Sequence, residues 1–200
     1  MEIARAAAGL FVSRGLKATR AEDIAQAAGC APRTFYRYFA TKEEAVAPLY
    51  AAGARRWTEA VREAPASLSV PEALEHAVRR TLTPGQAVST ASWDWVRTLI
   101  RLAGTNPALR KVWAEVCRES EQALADILAA RRTGADNVAS SVSPDLRFTA
   151  AVAGAAVRVA VETWACASNP PSGPEGPEAL ALRNLAALRG FPWDAGSSAP

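Results

Sequence analysis

The chain has 200 residues, half of them apolar and 22% charged, and carries a formal charge of +3, a balance that suits a globular protein with a sizeable core. Its longest apolar run, Phe148 to Ala167, is broken by Arg158 and Glu162, which argues against a membrane span, and Met1 leads straight into a helical pattern without signal-peptide flanks. A cytoplasmic protein with no membrane partner is expected, and the modest positive charge hints at an anionic one.

The first helix reads Glu2 to Arg14, with Ile3, Ala7, Leu10 and Phe11 on one face and Gly15 to stop it. Thr19 followed by Glu22 has the spacing of a capping box and opens a short second helix, with Ile24, Ala25 and Ala28 inward and Gly29 at its end. A third helix starts at Pro32, a favourable first-turn residue. Two short helices joined by a glycine-containing turn have helix-turn-helix spacing. Thr41 and Glu44 form a second capping-box pair, from which a long fourth helix runs to about Glu63. Pro48 falls inside that helix and should kink it, either as a tolerated bend or as a joint between two halves of the molecule.

The rest of the chain also reads as helix, so the fold class is all-α. Pro71 to Thr81 and Gln86 to Ala103 come next, the latter with Trp93 and Trp95 on different faces. Pro107 to Arg131 carries the stripe Leu109, Val112, Trp113, Val116, Cys117, Leu124, Ile127 and Leu128, and Pro144 to Ser168 is apolar nearly all round. The segment "NPPSGPEGP" is a stiff loop, and Leu180 to Arg189 closes the fold.

The chemistry concentrates in "CAPRTFYRYFATKEEAV", residues 30–46. On a helix from Pro32 to Phe39, Phe35 and Phe39 share one face and can pack against the first two helices. Arg33, Tyr36 and Arg37 point the other way, with Thr34 and Tyr38 beside them. Guanidinium forks, hydroxyls and phenols on one side are the groups that read base edges and grip phosphates in a major groove. Lys42 stands at the start of the fourth helix, where free N–H groups attract a phosphate. The bland alternative is an amphipathic surface helix with incidental arginines, but the caps and the glycine turn agree with the motif.

Residues 3–50 resemble the DNA-binding domain of the TetR family of bacterial transcriptional regulators. The resemblance rests on "LFVSRG" in the first helix, "TRAEDIAQAAG" in the second, "TFYRYF" in the third and "TKE" at the fourth. It implies a three-helix DNA-binding domain over residues 1–46 and a larger helical ligand-binding and dimerisation domain over 47–190, with residues 191–200 expected to be a disordered tail. It also implies a homodimer on a palindromic double-stranded DNA operator, usually as a repressor, with a small-molecule effector. Thr34, Tyr36 and Lys42 match positions that commonly contact phosphates in the family, and Arg33 and Tyr38 lie on the groove-facing side. The full expected DNA-contacting set is Thr19, Arg20, Arg33, Thr34, Tyr36, Arg37, Tyr38 and Lys42. Three features depart from the family pattern. Ala31 replaces a hydroxyl cap, Arg33 replaces a small residue, and a basic N-terminal arm is absent.

Trp93, Trp95, Trp113 and Trp164 have two readings, core packing or the wall of an apolar ligand pocket between helices. Arg158 and Glu162, four apart, read as an ion pair at a rim or dimer interface, with a ligand anchor as the other reading. The small residues Ala150, Ala151, Gly154 and Ala155, with Val159, would let a partner helix approach. Cys30, Cys117 and Cys166 lack paired metal spacing and read as reduced buried hydrophobes, with a redox switch at Cys30 as the alternative. His76 stands alone. No metal, cofactor or catalytic constellation is expected, and an enzyme reading is poor. The competing function is a DNA-binding protein that is constitutive or controlled by a protein partner, which a closed apolar cavity lined by those tryptophans would argue against.

Overall fold

The computed structural model of the chain describes residues 1–85, 90–133 and 142–193. Among these the secondary structure is helical, without a β-strand. Helix α1 spans Glu2–Arg14 and buries Ala4, Ala7, Ala8 and Phe11. Gly15 ends it at φ +81°, in the left-handed region that glycine adopts without a Cβ penalty. Helix α2 spans Ala21–Ala27 and α3 spans Pro32–Tyr38. Between them Gly29 sits at φ +66°, and the Cys30 N–H returns to the Ala25 carbonyl at 2.9 Å. Phe35 is fully buried, with Tyr36 edge-on at 5.4 Å and Phe39 at 5.5 Å between ring centroids. Truncating Phe35 to alanine would cost about 3–5 kcal/mol, enough to unseat α3.

The expected box at the start of α2 takes a different form. Asp23, not Glu22, accepts from the backbone N–H of the capping residue Arg20, at 2.9 Å. Thr19 is fully buried and donates backwards to the Gly15 carbonyl at 2.9 Å. Past α3, Thr41 accepts from the Glu44 N–H at 3.3 Å, while the Glu44 carboxylate accepts from Ala40 at 2.9 Å. This pair opens a short 3₁₀ turn, Glu44–Val46, before α4 begins at Ala47 and runs to Arg62. Pro48 therefore stands in the first turn of α4, where its missing N–H breaks no helical bond; the expected kink inside the helix is corrected to a bend ahead of it.

Helices α5 (Val70–Leu82), α6 (Thr90–Thr105), α7 (Pro107–Thr133), α8 (Pro144–Cys166) and α9 (Pro177–Ala187) pack with α4 into the larger bundle. Of the sixth helix as expected from Gln86, residues 86–89 lie outside the described residues. Arg131 of α7 locks the end of α4 by donating to the carbonyls of Val61, Ala64, Pro65 and Leu68, at 3.3, 2.7, 2.9 and 3.2 Å. The core runs continuously from Phe11 and Phe35 through Tyr50 and Trp57 to Trp93, Leu128 and Trp164. No helix among the described residues is long and apolar enough to cross a membrane.

Three expectations change with this packing. Ala150 is fully buried and Gly154 faces the Glu121 side chain of α7, so neither belongs to an outward face of α8. Trp193 is buried and donates to the Leu188 carbonyl at 3.2 Å, with Phe191 against it at 4.7 Å, so residues 191–193 are packed; 194–200 lie outside the described residues. None of the three cysteines is fully buried, and Cys166 is exposed.

Candidate DNA interface and interior cavity

Helix α3 divides as the spacing predicts. Phe35 turns inward, and Arg33, Tyr36, Arg37 and Tyr38 are exposed on the far side, with Thr34 half-buried beside them. Arg20 is exposed at the cap of α2. The Arg37 guanidinium lies 4.9 Å from the Tyr38 ring centroid and donates to the Tyr38 hydroxyl at 3.1 Å. Tyr36 donates to the Glu22 carboxylate at 3.1 Å, which raises the pKa of the phenol. Ala31 caps α3 with no side-chain bond to give.

Thr19 is corrected out of the expected contact set, because its side chain is buried and its hydroxyl serves the end of α1. Lys42 is half-buried and donates to the carbonyls of Leu16 and Thr19, both at 2.7 Å. It ties the loop after α1 to the loop after α3, a structural duty that nothing local in the sequence announces.

In the larger bundle a cavity of about 200 Å³ lies between α4, α6, α7 and α8, with the end of α5 also on its wall. Its walls are mostly apolar, with Tyr50, Trp57, Trp93 and Trp113 as the aromatic ones. Of the four expected tryptophans, Trp93 and Trp113 line it. Trp164 does not: it sits behind Trp93, edge-on at 5.3 Å, with Arg97 4.3 Å from its ring centroid and its N–H donated to the Pro170 carbonyl at 3.1 Å. Trp95 does not either; a Cβ built on Gly9 would lie 3.5 Å from Trp95 Cη2, so this indole lies against α1. Trp57 and Tyr50, both on α4, were missed from the sequence. Their i, i+7 spacing beside Ala54 was the available signal.

Most polar groups of the wall stand on α7 and α8, with Arg56 on α4 and Thr81 on α5 besides. Arg158 pairs with Glu162 at 3.3 Å, and Glu162 also accepts the Trp113 indole N–H at 2.6 Å. Burial pushes the Cys117 thiol up to about 12, with Arg158 opposing, so it stays protonated and is a poor nucleophile at neutral pH. Trp57 and Trp93 each keep a buried indole N–H with no acceptor among the described residues. A buried unpaired donor costs about 1–3 kcal/mol, so two on one cavity call for an explanation.

Residues 3–47 match the family model of bacterial regulatory proteins, tetR family, and residues 68–173 match that of the MftR C-terminal domain. The HTH-type transcriptional regulator TcmR of Streptomyces glaucescens is 32% identical over 165 residues, 82% of this chain and 71% of that protein. Among solved structures, the TetR-family repressor FadR of Thermus thermophilus, in complex with lauroyl-CoA, superposes with a TM-score of 0.62 at 23% identity, covering 100% of this chain and 96% of that one. The repressor AlkX of Dietzia sp., implicated in biodegradation of n-alkanes, gives 0.60 at 19% identity, covering 96% of each chain. At these identities the two structures speak for the shared fold.

Proposed function

The chain belongs to the TetR family of bacterial transcriptional regulators, and we propose that it is a repressor released from a palindromic operator when a small apolar or aromatic molecule fills the cavity beside α4. The observation that carries this reading is the position of α4. Leu49, Tyr50, Ala54 and Trp57 of that helix line the cavity, and its first residue follows the 3₁₀ turn whose Ala45 and Val46 are buried against the DNA-binding helices. A ligand that favours one setting of α4 shifts DNA affinity by its differential affinity for the two settings, ordinarily about 1–3 kcal/mol. The Thermus FadR structure, of the same fold, carries lauroyl-CoA, whose acyl chain is apolar and whose CoA part is charged; it supports a small-molecule ligand for this fold and does not name the one used here.

On this reading the chain divides near residue 46 into a DNA-binding part and an effector part, and acts in the cytoplasm. Arg33 and Tyr38 face the groove, with Arg33 reading a base edge, Thr34, Tyr36 and Lys42 hold phosphates, and Arg20 and Arg37 complete the contact set. Two copies are needed, because one recognition helix covers only a half-site. Phe148, 62% exposed, and Val159, 45% exposed, frame an outward stripe on α8 with Val152 and Ala155. That stripe, with Phe191 against Phe148 at 5.6 Å, would meet its two-fold mate.

The test begins with operator fragments selected from a random duplex library by the full-length protein. An apolar aromatic library is then screened for compounds that both quench tryptophan fluorescence and release the fragment. Sedimentation should give a dimer for the wild type and a monomer for Phe148→Glu with Val159→Glu. If no compound does both, the regulator is constitutive or controlled by a protein partner.

A further inference from the structure

The tryptophans sort by whether their indole N–H has found an acceptor. Trp113 donates to Glu162 at 2.6 Å, Trp164 to the Pro170 carbonyl at 3.1 Å and Trp193 to the Leu188 carbonyl at 3.2 Å. Trp57 and Trp93, only 6% and 2% exposed, have none among the described residues, and both line the cavity. The rest of the wall offers Leu82, Val96, Leu99 and Val161, whose side chains cannot accept, Thr81, whose hydroxyl is donated to Ala77 at 2.7 Å, and on α7 Ser120 and Glu121, neither of which accepts from either indole.

Taking the effector reading as its basis, we propose that the cavity selects an uncharged aromatic compound carrying acceptor oxygens, such as an aryl ketone, held by the indole N–H groups of Trp57 and Trp93. The aromatic walls set the shape and the two donors set the chemistry. A donor that is already buried has already lost its water, so the bond it forms with a ligand is not offset by desolvation of the protein group. A hydrocarbon of the same outline leaves both donors unpaired and is rejected for that reason. The two donors are neutral and Arg158 is held by Glu162, so neither supplies a charge to balance a carboxylate; Arg56, exposed at the wall on α4, is the cation such a ligand would have to reach.

The experiment compares fluorenone with fluorene, two flat tricycles that differ by a carbonyl in place of a methylene. Full-length nitrogen-15-labelled protein shows its six indole N–H signals directly. Fluorenone should bind at least about tenfold more tightly than fluorene, and should move the Trp57 and Trp93 signals downfield. Those signals are assigned by their loss in Trp57→Phe and Trp93→Phe. Each variant should lose the preference for the ketone while still binding fluorene. Because Trp93 also packs on Trp164, Trp57→Phe decides the matter if Trp93→Phe does not fold. Equal binding of the two compounds, or binding with both indole signals unmoved, overturns the donor role; if the compounds also release operator DNA, the effector reading stands without it. Binding of neither compound overturns both.

Discussion

The buried hydroxyl of Tyr50 on α4 donates to the Leu99 carbonyl of α6 at 2.8 Å, while its ring meets Trp113 of α7 edge-on, 5.1 Å between centroids. One phenol thus joins three helices around the cavity. Tyr50→Phe keeps the ring contact and removes only the hydrogen bond, so it should cost about 1 kcal/mol. Urea unfolding would show this as a lower midpoint with an unchanged slope. A changed slope would mean that the variant alters the compactness of one of the end states and not a single bond.

Alkaline stability should carry the mark of two buried groups. Burial raises the Tyr50 phenol well above its ordinary value of about 10, and pushes the Cys117 thiol to about 12. In the pH range between each group's unfolded and folded values, the unfolded chain has released a proton that the native protein retains. Stability is therefore complete below the unfolded values and falls as pH rises, from about 8.5 for the thiol and about 10 for the phenol. Denaturation curves collected from pH 8 upward should decline less steeply for Tyr50→Phe with Cys117→Ser than for the wild type. Thiol labelling at neutral pH should reach exposed Cys166 well before Cys117.

Much of the fold was legible because its signals are local. Glycine stops, a proline at a first turn and aromatic residues spaced i, i+4 define α1 to α3 without reference to distant residues. What spacing missed falls where a side chain answers to something far away in the chain. Lys42 bonds to carbonyls 23 and 26 residues earlier, a support that its place near a phosphate could not reveal, and buried Thr19 serves the end of α1. Tryptophan content pointed to a pocket, yet which indoles line it depends on how α4, α6 and α8 rotate against one another. That rotation put Trp57 on the wall, Trp164 behind it and Trp95 outside.

Trp95 connects α6 to the DNA-binding part of the molecule. It stands two residues from cavity-lining Trp93 and lies against Gly9 of α1, so a shift of α6 is felt at both places. Gly9→Ala adds a methyl at ordinary contact distance, 3.5 Å, and removes a helix-interior glycine, so it should be neutral or stabilising by up to about 1 kcal/mol. Trp95→Ala should leave operator affinity in the absence of effector within a few-fold and reduce the loss of affinity that an effector causes. Titrations of operator with and without the selected compound measure both quantities.

Gly154 tests the wall between α7 and α8. A Cβ there would lie 2.9 Å from Glu121 Cγ, too close for any real contact, so Gly154→Ala must push the Glu121 side chain aside along the edge of the cavity. Helix propensity favours alanine by about 1 kcal/mol, which offsets part of the steric cost. The expected outcome is a small change in melting temperature with a clear loss of effector affinity, read by tryptophan quenching. Gly154→Ala with Glu121→Ala relieves the clash and should recover most of the binding.

The DNA face can be separated from its supports by salt dependence. Arg33 is exposed on α3 with no side-chain bond among the described residues, so Arg33→Ala should leave stability unchanged. It should relax the preference at one operator position by about 1–3 kcal/mol if its contact is bidentate. Lys42→Ala removes two bonds from an ammonium to the carbonyls of Leu16 and Thr19, and should cost about 1–3 kcal/mol of stability. An ammonium has three donors, and the third is the one assigned to a phosphate. Lys42→Ala should therefore also weaken binding to every sequence and lower the slope of log affinity against log salt by about 1. Thr19→Ala is the control: its hydroxyl bonds only within the fold, so it should lose about 1 kcal/mol of stability with the salt slope unchanged. An unchanged slope for Lys42→Ala would make that lysine, like Thr19, a support of the recognition helix and not a contact with DNA.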